Sequence, residues 1–460
     1  MNPDEPEGAR EPRVPAGATN ADSDFPGARV LVGLGLVALA AGALTGLVGG
    51  AFRWMLSWTE DRRSTLVEWS HSNGALGVIA VIGLSASCAM IAVWIVQRVP
   101  SAGGSGIQQV EAVQQDEDRA ANWTVVPARF VGGLLSMGAG GMVLGREGPT
   151  VHMGAAIGAA AGRLVRASTD EVRVLQTSMA GAGLAVAFNA PIGGALFTFE
   201  EVAKQIRLRY AVWTLAAVAA AVVCSRWILG NQPDFRAGGV DNPAPDRLWV
   251  FLVFGIILGG IGVLYSRLVT WFVDVFQRMP VSPLVIAGGV GVVIGILALV
   301  VPESVGGGDV VAQGLLDSQR LALWTLIGLL ALRMVTGPLS YGTGAPGGLF
   351  APMLALGALC GVIGGRLVEL IDQTYGASLT PALVIVGMST LFASVVRVPL
   401  TAIVLVIEMT AVTTLTIPMI LSAVTAVATA SLAGSKPVYD SLRERMLQGY
   451  ALNESRHAQP

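Results

Sequence analysis

The amino-acid sequence predicts an all-α integral membrane protein built from two inverted-topology repeats of tilted and broken transmembrane helices. Of its 460 residues, 53% are hydrophobic and only 13% are charged, which is far from the balance of a water-soluble domain. Uncharged runs such as residues 75–97, 174–199 and 334–365 are long enough to cross a bilayer as helices. Barrel strands would be shorter and would alternate in polarity, so these runs exclude a membrane β-barrel.

A polar linker near the middle of the chain divides the predicted membrane region into two halves. Residues 1–27 are polar, lack the pattern of a signal peptide and are expected to be disordered. Residues 28–230 form the first predicted transmembrane repeat, and residues 248–439 form the second. Residues 231–247, with three prolines and no helical periodicity, are the linker between them. Residues 440–460 are expected to be a short polar C-terminal tail.

Apolar segments and breaks predict individual elements within these halves. The first span is expected at residues 30–56, as a long, glycine-rich and tilted helix closed by Arg62 and Arg63. Further along, the uncharged run at 174–199 is interrupted by Asn189-Ala190-Pro191, which predicts a broken helix. The 58 glycines of the chain indicate helices that approach one another closely or break within the membrane.

Two pairs of segments match each other at nearly the same offset. The pentapeptide GREGP at 145–149 corresponds to GLFAP at 348–352, and both place a proline at the opening of a helix. The segment from Pro191 to Glu200 corresponds to the segment from Pro399 to Glu408, with the same interval from proline to glutamate. Because both pairs keep their order on either side of the linker, they predict a duplicated half. An inverted repeat would bring the two broken-helix starts together in mid-membrane.

Three loop-to-helix stretches, at residues 104–108, 145–149 and 348–352, expose backbone amides beside glycines. Converging helix N-termini offer N–H donors and partial positive charge without burying a full cation. Ser105 and Tyr439 could add hydroxyl donors. Such an arrangement binds a small anion weakly enough to release it.

Two glutamates in this region have open interpretations. Glu147 is a charge in an apolar segment, at the start of a helix with Pro149 in its first turn. It either pairs with Arg146 for structure or acts as a functional carboxylate at the helix terminus. Glu201 is either a solvated carboxylate at a helix end beside Lys204 or a functional acid.

In these motifs the chain resembles the CLC family of chloride channels and chloride/proton antiporters. The resemblance covers residues 30–439 and rests on four segments in the family's order: GSGI at 104–107, GREGP at 145–149, GLFAP at 348–352 and KPVY at 436–439. It implies a homodimer in the lipid bilayer of the cell inner membrane or plasma membrane, with several spans and a separate pore in each subunit. The few residues after the last motif imply the prokaryotic type, without paired cytoplasmic regulatory modules.

The resemblance also implies roles for single residues. The hydroxyls of Ser105 and Tyr439 and the backbone amides of Leu349 and Phe350 would bind the central anion. Glu147 would be the external gate, because its carboxylate can occupy the anion site and can swing away when protonation removes its charge.

On the inner side, Glu201 would transfer protons, and Glu111 matches a buried acidic position close to that path. Gln108 stands where most family members carry proline, and its free N–H and amide side chain could reach the anion path. Gln108, Glu111 and Arg146 are therefore expected to support the site.

The predicted function is the exchange of chloride for protons. The alternative is a passive, voltage- or pH-gated chloride channel of the same fold, but channel members generally lack an acid at the position of Glu201. An intramembrane enzyme is a third possibility, for which the spans offer no metal triad and no nucleophile elbow. Single cysteines at 88, 224 and 360 and a net charge of -2 give no reason to expect a metal, a cofactor or a nucleic-acid partner.

Overall fold

The computed structural model describes residues 28–205, 208–240, 242–317 and 321–457, and it confirms the all-α class. Within these ranges the chain forms 17 α-helices joined by short 3₁₀ and π-helical turns. Eight helices are long and apolar enough to cross a membrane, as expected of a multi-pass membrane protein. The expectation of disorder at residues 1–27 falls outside the described part of the chain.

Each half contains both long and short helices, and the shortest cannot cross a bilayer. The first half contains α1 (Ala28–Ser72), α2 (Gly74–Arg98), α3 (Ile107–Gln114), α4 (Val125–Gly133), α5 (Glu147–Leu164), α6 (Thr169–Phe188), α7 (Pro191–Phe197) and α8 (Leu208–Leu229). The second half contains α9 (Trp249–Arg278), α10 (Pro283–Val300), α11 (Asp309–Leu316), α12 (Leu323–Gly342), α13 (Phe350–Glu369), α14 (Gln373–Val396), α15 (Pro399–Thr410), α16 (Thr416–Leu432) and α17 (Val438–His457). The predicted break between α6 and α7 is confirmed.

The first helix is longer than predicted. The sequence suggests a span at residues 30–56 that two arginines close, but α1 continues to Ser72. Arg63 does not end the helix because its guanidinium finds acceptors inside the protein. It donates to the carbonyl oxygens of Met137 at 3.0 Å and Gly138 at 2.9 Å, so its charge need not face solvent.

Two glutamates join the halves by capping each other's helices. Glu200, at the end of the segment that follows α7, accepts hydrogen bonds from two backbone amides at the start of α15, at 3.1 and 2.7 Å. Glu408, near the end of α15, accepts from two backbone amides at the start of α7, at 3.0 and 2.7 Å. Each carboxylate stabilises the positive end of a helix in the other half. The two matched segments therefore lie antiparallel, as the predicted inverted topology requires.

Each half also contains one buried arginine that anchors the loop before a short helix. The Arg129 guanidinium donates to carbonyl oxygens of residues 101–105, at 2.9 to 3.3 Å, just ahead of α3. The Arg333 guanidinium donates to carbonyl oxygens of residues 303–306, at 2.9 to 3.4 Å, just ahead of α11. The two loops are equivalent parts of the repeat, and their sequences match at an offset of 202 residues, with Val-Pro at 99–100 and 301–302 and glycines at 104, 106, 306 and 308.

Small residues set the closest helix contacts. Helix α5 packs along α6, and α13 packs along α14. A β-carbon added to Gly154 would overlap the carbonyl oxygen of Met179, and one added to Gly357 would overlap that of Gly387. Only glycine permits the two backbones to approach this closely.

The residues after Tyr439 continue the helix that carries it. Helix α17 runs from Val438 to His457, so the predicted tail at 440–460 begins inside a helix. Arg445 docks this helix on α9, because its guanidinium donates to both carboxylate oxygens of Asp274, at 2.7 and 3.0 Å.

We expect Arg333→Met to destabilise the fold by about 3 kcal/mol or more, since it would leave buried carbonyl oxygens without donors. The measurement is the midpoint of thermal unfolding in detergent. Arg366→Met is the matched control, because Arg366 is partly exposed and pairs with Glu369 of its own helix, at 2.9 Å. That control should cost less than about 1 kcal/mol. Equal midpoints for the two variants would contradict the anchoring role.

Candidate functional site

The starts of α3, α5 and α13 meet in the protein interior, as predicted from the three glycine-rich stretches. Gly145 and Gly348, each just ahead of its helix, exchange two backbone hydrogen bonds of 2.8 and 2.7 Å. A β-carbon added to Gly148, in the first turn of α5, would lie 2.6 Å from the carbonyl oxygen of Ser105. The glycines therefore permit three helix N-termini to share one small region.

Glu147 is fully buried in this region, and its side chain reaches across to α13. Its Oε1 accepts a hydrogen bond of 2.6 Å from the backbone N–H of Phe350. Its Oε2 has no hydrogen-bond partner among the described residues. The carboxylate thus takes the hydrogen bond of the Phe350 amide, one of the two backbone amides that the resemblance assigns to anion binding.

The structure contradicts the interpretation of Glu147 as the ion-pair partner of Arg146. The Arg146 guanidinium donates instead to Asp309 at 3.0 Å, to Asp234 at 2.8 Å and to the carbonyl oxygen of Ala187 at 2.9 Å. Both acids were missed in the sequence, where they stand far from Arg146 and belong to no motif. Arg146 is therefore held by two other carboxylates, and the Glu147 carboxylate faces the helix starts.

Two hydroxyl groups complete the region around Glu147. Ser105 and Tyr439 are fully buried, and their side chains lie close together. Neither hydroxyl has a hydrogen-bond partner in the part of the chain that the structure describes. A buried hydroxyl without a partner is costly, so this pair is suited to a bound ligand that accepts hydrogen bonds.

Phe350 contributes its amide to the region and its ring to the packing around it. The ring lies 4.3 Å from that of Phe392 and 5.7 Å from that of Tyr439, centroid to centroid. Leu349, the residue before α13, is also fully buried. The aromatic contacts hold the start of α13 where its amides face Glu147.

Gln108 supports the loop that carries Ser105. Its Nε2 donates to the Tyr341 hydroxyl oxygen at 3.4 Å, and the backbone N–H of Ser105 donates to the same oxygen at 3.3 Å. Tyr341 was not singled out in the sequence, because no motif marks it. The prediction that Gln108 supports the site therefore has a structural basis through Tyr341.

Glu111 and Glu201 form a second buried group. Glu111 is fully buried, Glu201 is 4% exposed, and the two carboxyl groups adjoin each other. Arg443 lies 3.4 Å from Glu111, and Lys204 is close enough to interact with both acids. The interpretation of Glu201 as a solvated carboxylate is wrong, because the chain folds over it.

An open cavity of about 470 Å³ reaches Glu201. Glu200, Lys204 and Leu400 are among its lining residues. The cavity offers water a direct approach to one of the two buried acids, whereas Glu147 lies among the helix starts.

Comparisons with known proteins agree with this architecture. The family described as "Voltage gated chloride channel" matches residues 88–431. Two curated relatives, both named H(+)/Cl(-) exchange transporter ClcA, come from Salmonella arizonae and Salmonella paratyphi B. Each is 38% identical over 427 residues, which covers 90% of this chain and 88% of the relative.

Solved structures show the same fold. A slow cyanobacterial Cl-/H+ antiporter superposes with a TM-score of 0.85 at 32% identity, over 90% of this chain and 98% of the other. A CLC-type fluoride/proton antiporter superposes with a TM-score of 0.74 at 22% identity, over 88% and 96% of the two chains, and supports the fold alone. With the converging helix starts and the inverted halves, these matches establish that the chain belongs to the voltage-gated chloride channel (CLC) family.

Proposed function

We propose that this chain is a secondary active transporter that exchanges chloride for protons across the cell inner membrane. One observation carries the proposal: the Glu147 carboxylate accepts the Phe350 N–H at 2.6 Å, next to two buried hydroxyls for which the described residues supply no hydrogen-bond partner. A group that binds protons and a site that attracts anions therefore share one donor. The names of the curated relatives support chloride and protons as the exchanged species.

Competition for that donor supplies the coupling. While Glu147 is charged, its carboxylate holds the amide and excludes another anion. Protonation removes the charge, so the bond to the amide weakens and the side chain can leave. The amides of Leu349 and Phe350 and the hydroxyls of Ser105 and Tyr439 then bind chloride through partial charges, without a full cation that would retain it.

Glu201 is proposed to pass protons between its cavity and Glu147. The open cavity of about 470 Å³ brings water to Glu201, and Glu111 lies directly beside it. Two carboxyl groups in contact accommodate one negative charge more readily than two, so the pair can retain a proton. Lys204 and Arg443 balance the remaining charge.

Two other functions fit the site less well. A passive channel needs no buried acid beside the cavity, yet Glu201 and Glu111 occupy that position. An intramembrane enzyme would need a substrate-activating group, and the curated relatives are named transporters. The proposed exchange involves only the chain, chloride and protons, and it needs no bound cofactor.

We also propose that the chain forms a homodimer through the face made by α7 and α15. This face carries the partly exposed carboxylates of Glu200 and Glu408 beside Ile192 and Leu400, each of which is 60% exposed. Carboxylates are costly against lipid, so a second copy of the chain covers the face better than acyl chains do. Light scattering in mild detergent should give the mass of two chains, and a mass of one chain would contradict the proposal.

The exchange is tested by flux and voltage measurements on purified protein in liposomes. In the wild type, the reversal potential should shift when a proton gradient is imposed. A reversal potential that does not change with the proton gradient would indicate a channel. In Glu147→Gln, proton flux should fall by roughly 10²-fold or more while chloride flux continues, because glutamine carries no exchangeable proton.

Glu444→Gln is the control for this variant, because Glu444 is an exposed acid that pairs with Lys436 at 2.7 Å. It should transport both ions like the wild type. Proton pumping that persists in Glu147→Gln would show that the gate is assigned to the wrong residue.

The close approach of α5 to the Ser105 loop should be sensitive to one added methyl group. In Gly148→Ala the new β-carbon would lie 2.6 Å from the Ser105 carbonyl oxygen and 2.8 Å from its Oγ, so the two helix starts must separate. We expect chloride affinity, measured by titration calorimetry, to fall by roughly tenfold, as for a moderate overpacking cost.

Gly83→Ala is the matched control, because nothing lies within 4 Å of a β-carbon added at that position in α2. Its chloride affinity should equal that of the wild type. Unchanged affinity in Gly148→Ala would show that the anion does not bind between these helix starts.

A further inference from the structure

We propose that Asp234, in the linker between the two halves, is a positioning residue for the gating glutamate Glu147. The inference rests on the proposed exchange of chloride for protons. It arises from a network of charged side chains that runs from the linker through Arg146 to the start of α5, outside the anion site itself.

The linker is fastened to both halves although its sequence has no helical periodicity. The carbonyl oxygen of Gln232 accepts a hydrogen bond of 2.9 Å from the side chain of Asn189, the residue after α6. The Phe235 side chain is buried, and its backbone N–H donates to the Met409 carbonyl oxygen at 2.9 Å. Arg236 exchanges two hydrogen bonds with the Gln313 side chain, at 2.8 and 3.0 Å. The backbone around Asp234 is therefore held in place.

Asp234 bridges two arginines of the first half. Its Oδ1 accepts from Arg53 of α1 at 2.7 Å, and its Oδ2 accepts from Arg146 at 2.8 Å. The Asp234 side chain is only 7% exposed, so its bonds are poorly replaced by water. Without this charge, two nearby guanidinium groups would repel each other.

Arg146 connects Asp234 to the gating residue Glu147. It directly precedes α5, and its carbonyl oxygen accepts the Thr150 N–H at 3.2 Å, which closes the first turn of that helix. Glu147 is the first residue of the same turn. The 2.6 Å bond from the Phe350 N–H to the Glu147 carboxylate therefore depends on where the Arg146 side chain is anchored.

Asp309 also holds Arg146, but its contribution should be smaller. Its side chain is 37% exposed, against 7% for Asp234, and the structure gives it one arginine partner in the described part of the chain. Water can replace much of an exposed bond. Asp234 is therefore the stronger of the two carboxylate anchors of Arg146. Loss of this anchor should let the first turn of α5 shift, so that the Glu147 carboxylate can leave the Phe350 amide without being protonated.

The test is Asp234→Asn in the full chain, with chloride and proton fluxes measured on the same liposomes. We expect chloride flux to continue and the ratio of proton to chloride flux to fall by about threefold or more, as for the loss of a charge-assisted hydrogen bond. The reversal potential should move accordingly toward the value set by chloride alone. Asp234→Glu, which keeps the charge, should restore most of the ratio.

Gln313→Leu is the matched control. It removes the fastening between Arg236 and α11 but touches neither Arg146 nor Glu147, so the flux ratio should remain that of the wild type. Asp309→Asn should lower the ratio less than Asp234→Asn does.

A wild-type ratio of proton to chloride flux in Asp234→Asn would overturn the proposal. An equal fall of that ratio in Gln313→Leu would also overturn it, because any loosening of the linker would then have the same effect. If Asp234→Asn does not fold, Arg146→Lys replaces it, because lysine lacks the planar guanidinium whose separate nitrogens bind Asp234 and Asp309. A wild-type ratio in that variant would also overturn the proposal. A wild type that moves no protons would instead overturn the proposed function.

Discussion

The hydrogen bond from the Phe350 N–H to the Glu147 carboxylate is the contact on which the proposed transport depends. It exists only because α5 and α13 begin at the same place, where Gly145 and Gly348 bring two backbones together. The donors at these helix starts carry partial charges, so they attract an anion and still release it. In the proposed exchange the same donors serve the Glu147 carboxylate and chloride, so the charged carboxylate and chloride exclude each other and protonation of Glu147 admits chloride.

The inverted repeat generates that meeting point. Two glutamates, Glu200 and Glu408, cap helices of the opposite half, and two arginines, Arg129 and Arg333, anchor equivalent loops. Each of these charged side chains supplies hydrogen bonds to backbone groups at a helix end or in a loop. Because the glutamates join the two halves and the arginines fix a loop within each half, the broken helices keep their places without spanning the membrane.

The two buried acidic positions proposed to carry protons differ in their charged neighbours. Glu201 lies against Glu111, with Lys204 and Arg443 nearby. Glu147 has no such ion pair in the described part of the chain, because the adjacent arginine is bound elsewhere. That difference suits the two proposed roles, a proton relay at the inner pair and a single gate at Glu147.

The sequence by itself determined the all-α class, the duplicated halves and the helix starts, because uncharged runs, prolines and glycines are local signals. Family motifs pointed to Ser105, Glu147 and Tyr439. Only the tertiary structure decided that α1 continues past Arg63 and that Arg146 turns away from Glu147 toward Asp234, since these partners are far apart in the chain. Adjacent residues at a helix start point in different directions, so sequence neighbours alone could not tell which carboxylate Arg146 would bind.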